Sequence, residues 1–244
     1  ARTGAAAVDA ATGAVTRPFA PTLADPKDLQ LTPFDIRLYD QWVYLCGDWW
    51  LVEGGVDAGG WGDNVGINDP LAGSQRQPNV ARFDKLTGVA DATWRPWTDG
   101  GVQNCDLDVA GGYLYIGGHF DKAGSETEQT VDVPIRRDIA AVDLASGDVG
   151  NWQPGTGNSG FPPGVYGETY AVDVGWGQVT WGGHFASAGG VNQQGLAPFP
   201  LGRQALMVVD QPASLQTGEE AIRRRLEEEL GFVVTLLDDD SVTG

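Results

Sequence analysis

The chain has 244 residues, of which 41% are hydrophobic, and this length and composition favour a folded protein with a sizeable core. Its 33 acidic and 15 basic side chains give a formal net charge of -18, which repels the phosphate backbone of a nucleic acid. No apolar run reaches the about 18 residues of a transmembrane helix. We therefore expect no nucleic-acid partner and no membrane span.

The first repeated feature is a short apolar strand that enters an Asp-x-x-Thr/Ser-Gly turn. Its copies span residues 4–13, 79–88 and 138–147. Asp9, Asp84 and Asp143 begin the turns, where a carboxylate accepts backbone N–H groups and the following glycine supplies a positive φ. We interpret these aspartates as structural. An aromatic-x-Pro sequence follows each turn, and we expect a second strand to end there.

Two further strands follow in each copy. The third alternates polar and apolar residues over 34–38, 105–109 and 170–174, as expected of a half-buried strand. The fourth covers 42–49, 113–120 and 178–185. Four short strands and tight turns per copy predict a mainly β fold, a propeller-like array of four-stranded antiparallel blades.

The turns and the Tyr115–Phe120 sequence, Tyr-x-Gly-Gly-x-Phe, resemble the Kelch-like propeller repeats of large secreted bacterial proteins. The resemblance covers residues 1 to about 200, and it implies an extracellular or cell-surface scaffold rather than a particular chemistry. We expect blades at about 1–75, 76–133 and 134–194, a partial blade at 195–203 and an insertion loop at 51–75. Three blades leave open edges, so we expect a fragment of a longer protein or self-assembly through those edges.

A second unit is expected over residues 204–244. A continuous apolar strand, a helix capped by Thr217 and ended by Gly231, and a second apolar strand predict a parallel β-α-β unit. This stretch resembles the start of a flavodoxin-like or amidotransferase-like α/β domain. It contains neither of the glycine-rich phosphate-binding motifs, so we expect no cofactor.

Few side chains suggest catalysis. His119 and His184 occupy the same repeat position, which favours a structural role, because a metal site needs its imidazoles to converge. We expect no metal ligands and no catalytic residues. Cys46 and Cys105 are the two cysteines, and the sequence allows either a bridge between neighbouring blades or two buried thiols.

Tryptophans beside the insertion loop are the candidate ligand-binding residues: Trp49, Trp50 and Trp61. Aromatic rings on a Gly/Asn/Asp-rich loop can stack on sugars or anchor a protein partner, whereas the alternative is that they fold the loop back on the blade. We therefore predict a non-catalytic scaffold that binds carbohydrate or a protein partner. The alternative is part of a secreted hydrolase or oxidoreductase, with its active site on the propeller face or in the α/β unit.

Overall fold

A computed structural model of the chain describes residues 5–15, 19, 21, 23–24, 32–49, 51–53, 74–125, 135–152, 154–157, 167–202, 204–226 and 233–241. These residues are mainly in β-strands, with one α-helix, α1 (Thr217–Arg224). In the first half of the chain the strands are β1 (Leu23–Ala24), β2 (Thr32–Tyr39), β3 (Trp42–Asp48), β4 (Leu51–Glu53), β5 (Ser74–Arg76), β6 (Val80–Asp84), β7 (Pro96–Thr98), β8 (Val102–Asp108), β9 (Tyr113–Gly118) and β10 (Ala123–Ser125). In the second half they are β11 (Ile139–Asp143), β12 (Thr156–Gly157), β13 (Glu168–Gly175), β14 (Gln178–His184), β15 (Ser187–Ala188), β16 (Val191–Asn192), β17 (Leu196–Pro200), β18 (Gln204–Val209) and β19 (Val233–Asp238).

Three antiparallel sheets repeat the same construction. Sheet 1 has the order β2-β3-β6, sheet 2 the order β8-β9-β11, and sheet 3 the order β13-β14-β17. In each sheet a hairpin pairs with the first strand of the following sequence copy. One repeat in the sequence is therefore divided between two consecutive sheets.

The second strand of the repeat does not join these sheets. In the second copy this strand is β7, which begins at Pro96, where the sequence predicted the strand to end, and it pairs with β10 in a separate two-stranded sheet. Two other small sheets have the orders β1-β4-β5 and β12-β15-β16. The expected four-stranded unit is thus divided into a three-stranded sheet and a smaller neighbour.

The pairing changes the alignment of the third strands. Asp35 lies opposite Cys46, Asn104 opposite Gly117 and Ala171 opposite Gly182. By this pairing Asp35 corresponds to Asn104. The sequence alignment, which matched Phe34 with Cys105, had paired Asp35 with Asp106 and was therefore wrong by two residues in the second copy. The reason is the hairpin loop between β8 and β9, which spans 109–112, whereas residues 40–41 and 176–177 connect the other two hairpins.

Apolar side chains fill the space between consecutive sheets. Between sheets 1 and 2, Tyr44 and Cys46 pack with Leu114 and Ile116 in one buried cluster. Between sheets 2 and 3, Tyr115 packs with Trp181 and its neighbours in another. Removing this apolar area from water is the main force that stabilises the stacking.

Polar contacts also connect the first strands of the three sheets. The Asp35 carboxylate accepts the Cys105 N–H at 3.0 Å, and the side-chain oxygen (Oδ1) of Asn104 accepts the Val172 N–H at 2.7 Å. Asp35 and Asn104 occupy equivalent positions in their sheets. The same hydrogen bond, from a backbone N–H of the next sheet to a side-chain oxygen, therefore occurs at both junctions.

The C-terminal residues form the expected parallel unit. Strands β18 and β19 pair in parallel, from Gln204 opposite Val233 to Val209 opposite Asp238, with α1 between them in the chain. The N-cap is Gln216 rather than Thr217, and the Glu219 carboxylate accepts its N–H at 2.8 Å. The predicted end at Gly231 lies outside the described residues. In the described part of the chain, no helix has the length and apolar character needed to cross a bilayer.

Candidate functional site

Both cysteines are used in a disulfide. Cys46 on β3 and Cys105 on β8 are bonded, with their Cα atoms 6.4 Å apart, and both are fully buried. Of the two possibilities that the sequence left open, the structure has the bridge. It joins sheet 1 to sheet 2, and neither cysteine is a free thiol nucleophile.

The repeated aspartates hold turns together. The Asp84 carboxylate accepts the N–H groups of Leu86 and Thr87 and the Thr87 hydroxyl, and Gly88 follows with φ of 70°. Asp9 and Asp143 make the same three bonds in their own turns. These hydrogen bonds are consistent with the structural role that we expected.

Of the candidate tryptophans, the structure describes Trp49. Its side chain is fully buried in the cluster beside sheet 1, and its indole N–H donates to the Gln77 carbonyl at 2.9 Å. The ring therefore has no face open to a ligand. Trp50 and Trp61 lie outside the described residues.

A first cleft lies between the hairpins of sheets 1 and 2, and we call it the hairpin cleft. It encloses about 440 Å³, and one wall is the β2–β3 turn with Tyr39, Asp40, Gln41 and Trp42. The opposite wall includes Val109 and 143–145. Tyr39 is 39% exposed and Trp42 is half-buried, so aromatic surface faces solvent here beside polar side chains.

The floor of the hairpin cleft is a buried arginine. The Arg82 guanidinium pairs with Asp91 at 2.6 Å and lies over the Trp42 ring at 4.5 Å. It also donates to the Leu144 carbonyl at 2.5 Å. These contacts fix the orientation of Trp42, so the aromatic wall is pre-organised.

A second cleft lies at the opposite ends of the strands, between sheets 2 and 3, and we call it the acidic cleft. It encloses about 390 Å³ and is lined by His119, Phe120, Asp121, Arg137, Asp138, Gly167 and Glu168. Arg137 and Asp121 are exposed at its mouth, 3.6 Å apart. Sequence reasoning missed this site because its residues come from three separate segments.

Asp138 is the unusual residue of the acidic cleft. It is 7% exposed and adopts φ of 63°, and its Oδ2 accepts the Thr156 hydroxyl. Burial is the main reason that the pKa of Asp138 is raised to about 7; the carboxylates of Asp121 and Glu168 add to the rise, while the Thr156 hydrogen bond and Arg137 oppose it. This carboxyl therefore changes charge near neutral pH.

The two histidines lie at equivalent places in their hairpins, His119 directly after β9 and His184 at the end of β14. The His119 ring contacts the Gly101 N–H at 3.2 Å and the Gln103 amide at 2.5 Å. His184 pairs with Glu168 across the β13–β14 hairpin. Among the described residues, the three side chains close enough to share a metal ion are Asp238, Asp239 and Asp240, and the last two are exposed.

Comparisons with protein-family models, with curated proteins and with solved structures found no match to this chain.

Proposed function

We propose that the chain is a non-catalytic, propeller-like scaffold of a secreted or surface protein, and that it binds carbohydrate in the hairpin cleft. The exposed aromatic wall of this cleft carries the proposal. Sugar rings present apolar C–H faces and many hydroxyls, so they bind to aromatic rings flanked by polar side chains. Tyr39 and Trp42 supply the rings, while Asp40 and Gln41 supply hydrogen-bonding groups.

The repeated sheets support the scaffold part of this proposal. Each junction is stabilised by a buried apolar cluster, and the first junction also has a disulfide. A rigid framework of this kind holds the cleft walls in place, and this lowers the entropic cost of ordering them around a ligand. We propose that sheets 1 to 3 are successive blades of the array.

The enzyme alternative has weaker support. Both cysteines are bonded, and His119 is engaged by Gly101 and Gln103. A protein partner is supported instead by Trp176, which is 76% exposed at the tip of the third hairpin with φ of 51°. A bulky residue in that backbone region is uncommon, and an exposed tryptophan is a frequent interface anchor.

The test is a glycan array followed by calorimetry with the best saccharide. We expect Tyr39→Ala to weaken binding at least about tenfold, the equivalent of about 1.4 kcal/mol, because the ring is lost from the wall. Tyr170→Ala is the matched control, because Tyr170 is 54% exposed on β13 and lies outside the cleft. Equal binding by both variants, or no saccharide binding by the native protein, would overturn the proposal.

A further inference from the structure

The acidic cleft contains a charged group that the saccharide proposal does not use. Three carboxyl groups line it, those of Asp121, Asp138 and Glu168, against the single guanidinium of Arg137. Of these, Asp138 is more than nine-tenths buried. Among the described residues its Oδ2 has Thr156 as a partner, whereas its Oδ1 has no hydrogen-bond partner. An acceptor is therefore available inside the cleft.

The junction between sheets 1 and 2 has a residue equivalent to Asp138, and its contacts show which hydrogen bonds the fold requires at that position. Asn79 takes the place of Asp138, with φ of 70° against 63°. Its side-chain oxygen accepts the backbone N–H of Trp49 at 3.1 Å, and its side-chain NH2 group donates to the carbonyls of Thr98 and Gly100 at 3.1 and 2.8 Å. At this position, asparagine therefore forms hydrogen bonds with both its side-chain oxygen and its side-chain NH2 group.

A carboxyl at the same position is a poorer structural choice. It lacks the two N–H donors of the amide, and burying its charge costs free energy unless a counter-charge is present. Arg137 does not supply that charge directly, because its guanidinium pairs with Asp121 and its side chain is 60% exposed. A cation from outside would supply it.

We propose that the acidic cleft binds an organic cation, an ammonium or guanidinium group on a side-chain-sized molecule, with Asp138 as the buried counter-ion. Glu168 and Asp121 flank the cation at the mouth, and the volume of about 390 Å³ admits an alkyl amine. The net charge of -18 raises the local concentration of cations at such a site. This site is independent of the hairpin cleft.

Binding at this site is coupled to a proton. With Asp121, Glu168 and Arg137 facing it, Asp138 has a pKa of about 7 when the cleft is empty. A bound cation favours the charged carboxylate, so the cation displaces a proton below that pH. The apparent affinity should therefore rise with pH by up to about tenfold per unit below pH 7 and level off above pH 8.

The experiment is calorimetric titration of the full chain with Nα-acetyl-lysine amide, at pH 5.5 and pH 8. The neutral control ligand is the same molecule acetylated at Nζ. We expect the cationic probe to bind at least about tenfold more tightly at pH 8 than at pH 5.5, and the neutral one not to bind. At pH 5.5 the measured binding enthalpy should change with the ionisation enthalpy of the buffer, because binding releases a proton that the buffer takes up.

Two variants locate the site. Asp138→Asn should weaken binding of the probe at least about tenfold and abolish its pH dependence, because the amide at Asn79 shows that asparagine fits this backbone. Asp173→Asn removes an exposed carboxylate outside the cleft and should leave binding unchanged. His119 is intact in both, so a pH dependence that persists in Asp138→Asn would assign the proton elsewhere and contradict the proposal.

The source of the cation is distinguished by a further pair of ligands. A lysine-containing tetrapeptide that binds more tightly than butylamine supports a basic protein segment as the natural ligand, whereas equal binding supports a free amine. The proposal is overturned if the native protein does not bind the cationic probe at about 10 mM, about 2.7 kcal/mol of affinity. It is also overturned if the neutral probe binds equally well.

Discussion

The ionisation of Asp138 should make the stability of the protein depend on pH. Its folded pKa of about 7 lies above the ordinary value of 3.8, so the folded state favours the protonated form. The stabilisation is fully present below about pH 4 and is lost as the pH rises towards 7. Each unit of pKa shift corresponds to about 1.4 kcal/mol, and this sets an upper limit of about 4 kcal/mol.

Urea unfolding measures this effect as a difference between the native protein and Asp138→Asn. We expect the unfolding free energy of the native protein to fall relative to that of the variant between pH 4 and pH 7. The reciprocal change, Asn79→Asp, should introduce a similar dependence at the first junction. A constant difference between native protein and Asp138→Asn across this range would show that Asp138 is charged throughout.

Trp176 should be replaceable with a gain in stability. It adopts φ of 51° beside Gly177 at 68°, in a two-residue hairpin turn. Asparagine tolerates that region far better than tryptophan, and Asn-Gly is a favoured sequence for such turns. We expect Trp176→Asn to raise the unfolding free energy by about 1 kcal/mol, measured by urea denaturation.

A second variant controls for the loss of the indole ring itself. Trp176→Phe keeps an aromatic residue in the same backbone region and should give no gain. If Trp176→Asn is less stable than the native protein, the prediction is wrong, and the contacts of the indole ring outweigh the backbone strain.

At the scale of elements, the disulfide should be the strongest single link between sheets 1 and 2. It closes a loop across a sequence separation of 59 residues, for which loop-closure entropy predicts about 4 kcal/mol of stabilisation. Cys46→Ala with Cys105→Ala should lower the urea midpoint accordingly. Reducing the native protein should give the same midpoint, and no shift on reduction would mean that the bond is absent.

Much of the element pattern could be predicted from the sequence because it depends on local chemistry. The Asp84 turn with its glycine and the β18-α1-β19 unit each depend on one short segment. The third strands were placed correctly, but their half-buried apolar face was wrong: Phe34, Ile36 and Leu38 of β2 are exposed, because the polar side chains of that strand bond to sheet 2. The pairing of β7 with β10 was not accessible, because it joins strands across an intervening hairpin. The shift of the second copy comes from its hairpin loop, which has four residues, 109–112, where the loops of the other two copies have two.

At the scale of the whole molecule, both clefts were missed because each is built from the ends of two sheets. Arg82 and Leu144 meet across 62 residues, and no sequence pattern indicates that contact. For Trp49, by contrast, the sequence suggested a binding residue where the structure has a core residue. Its position beside a glycine-rich loop suggested an exposed ring, but the apolar cluster with Val43 and Leu45 buries it. One indication was available, since Asp138 occupies the place of Asn79 in otherwise similar copies.

The most direct test of the central claim is the affinity of Tyr39→Phe and Tyr39→Ala for the saccharide that the native protein binds best. If the ring stacks on a sugar in the hairpin cleft, Tyr39→Phe should keep most of the affinity and Tyr39→Ala should lose at least about tenfold, measured by calorimetry. If both variants bind like the native protein, carbohydrate is not bound at this cleft, and the proposed function is wrong.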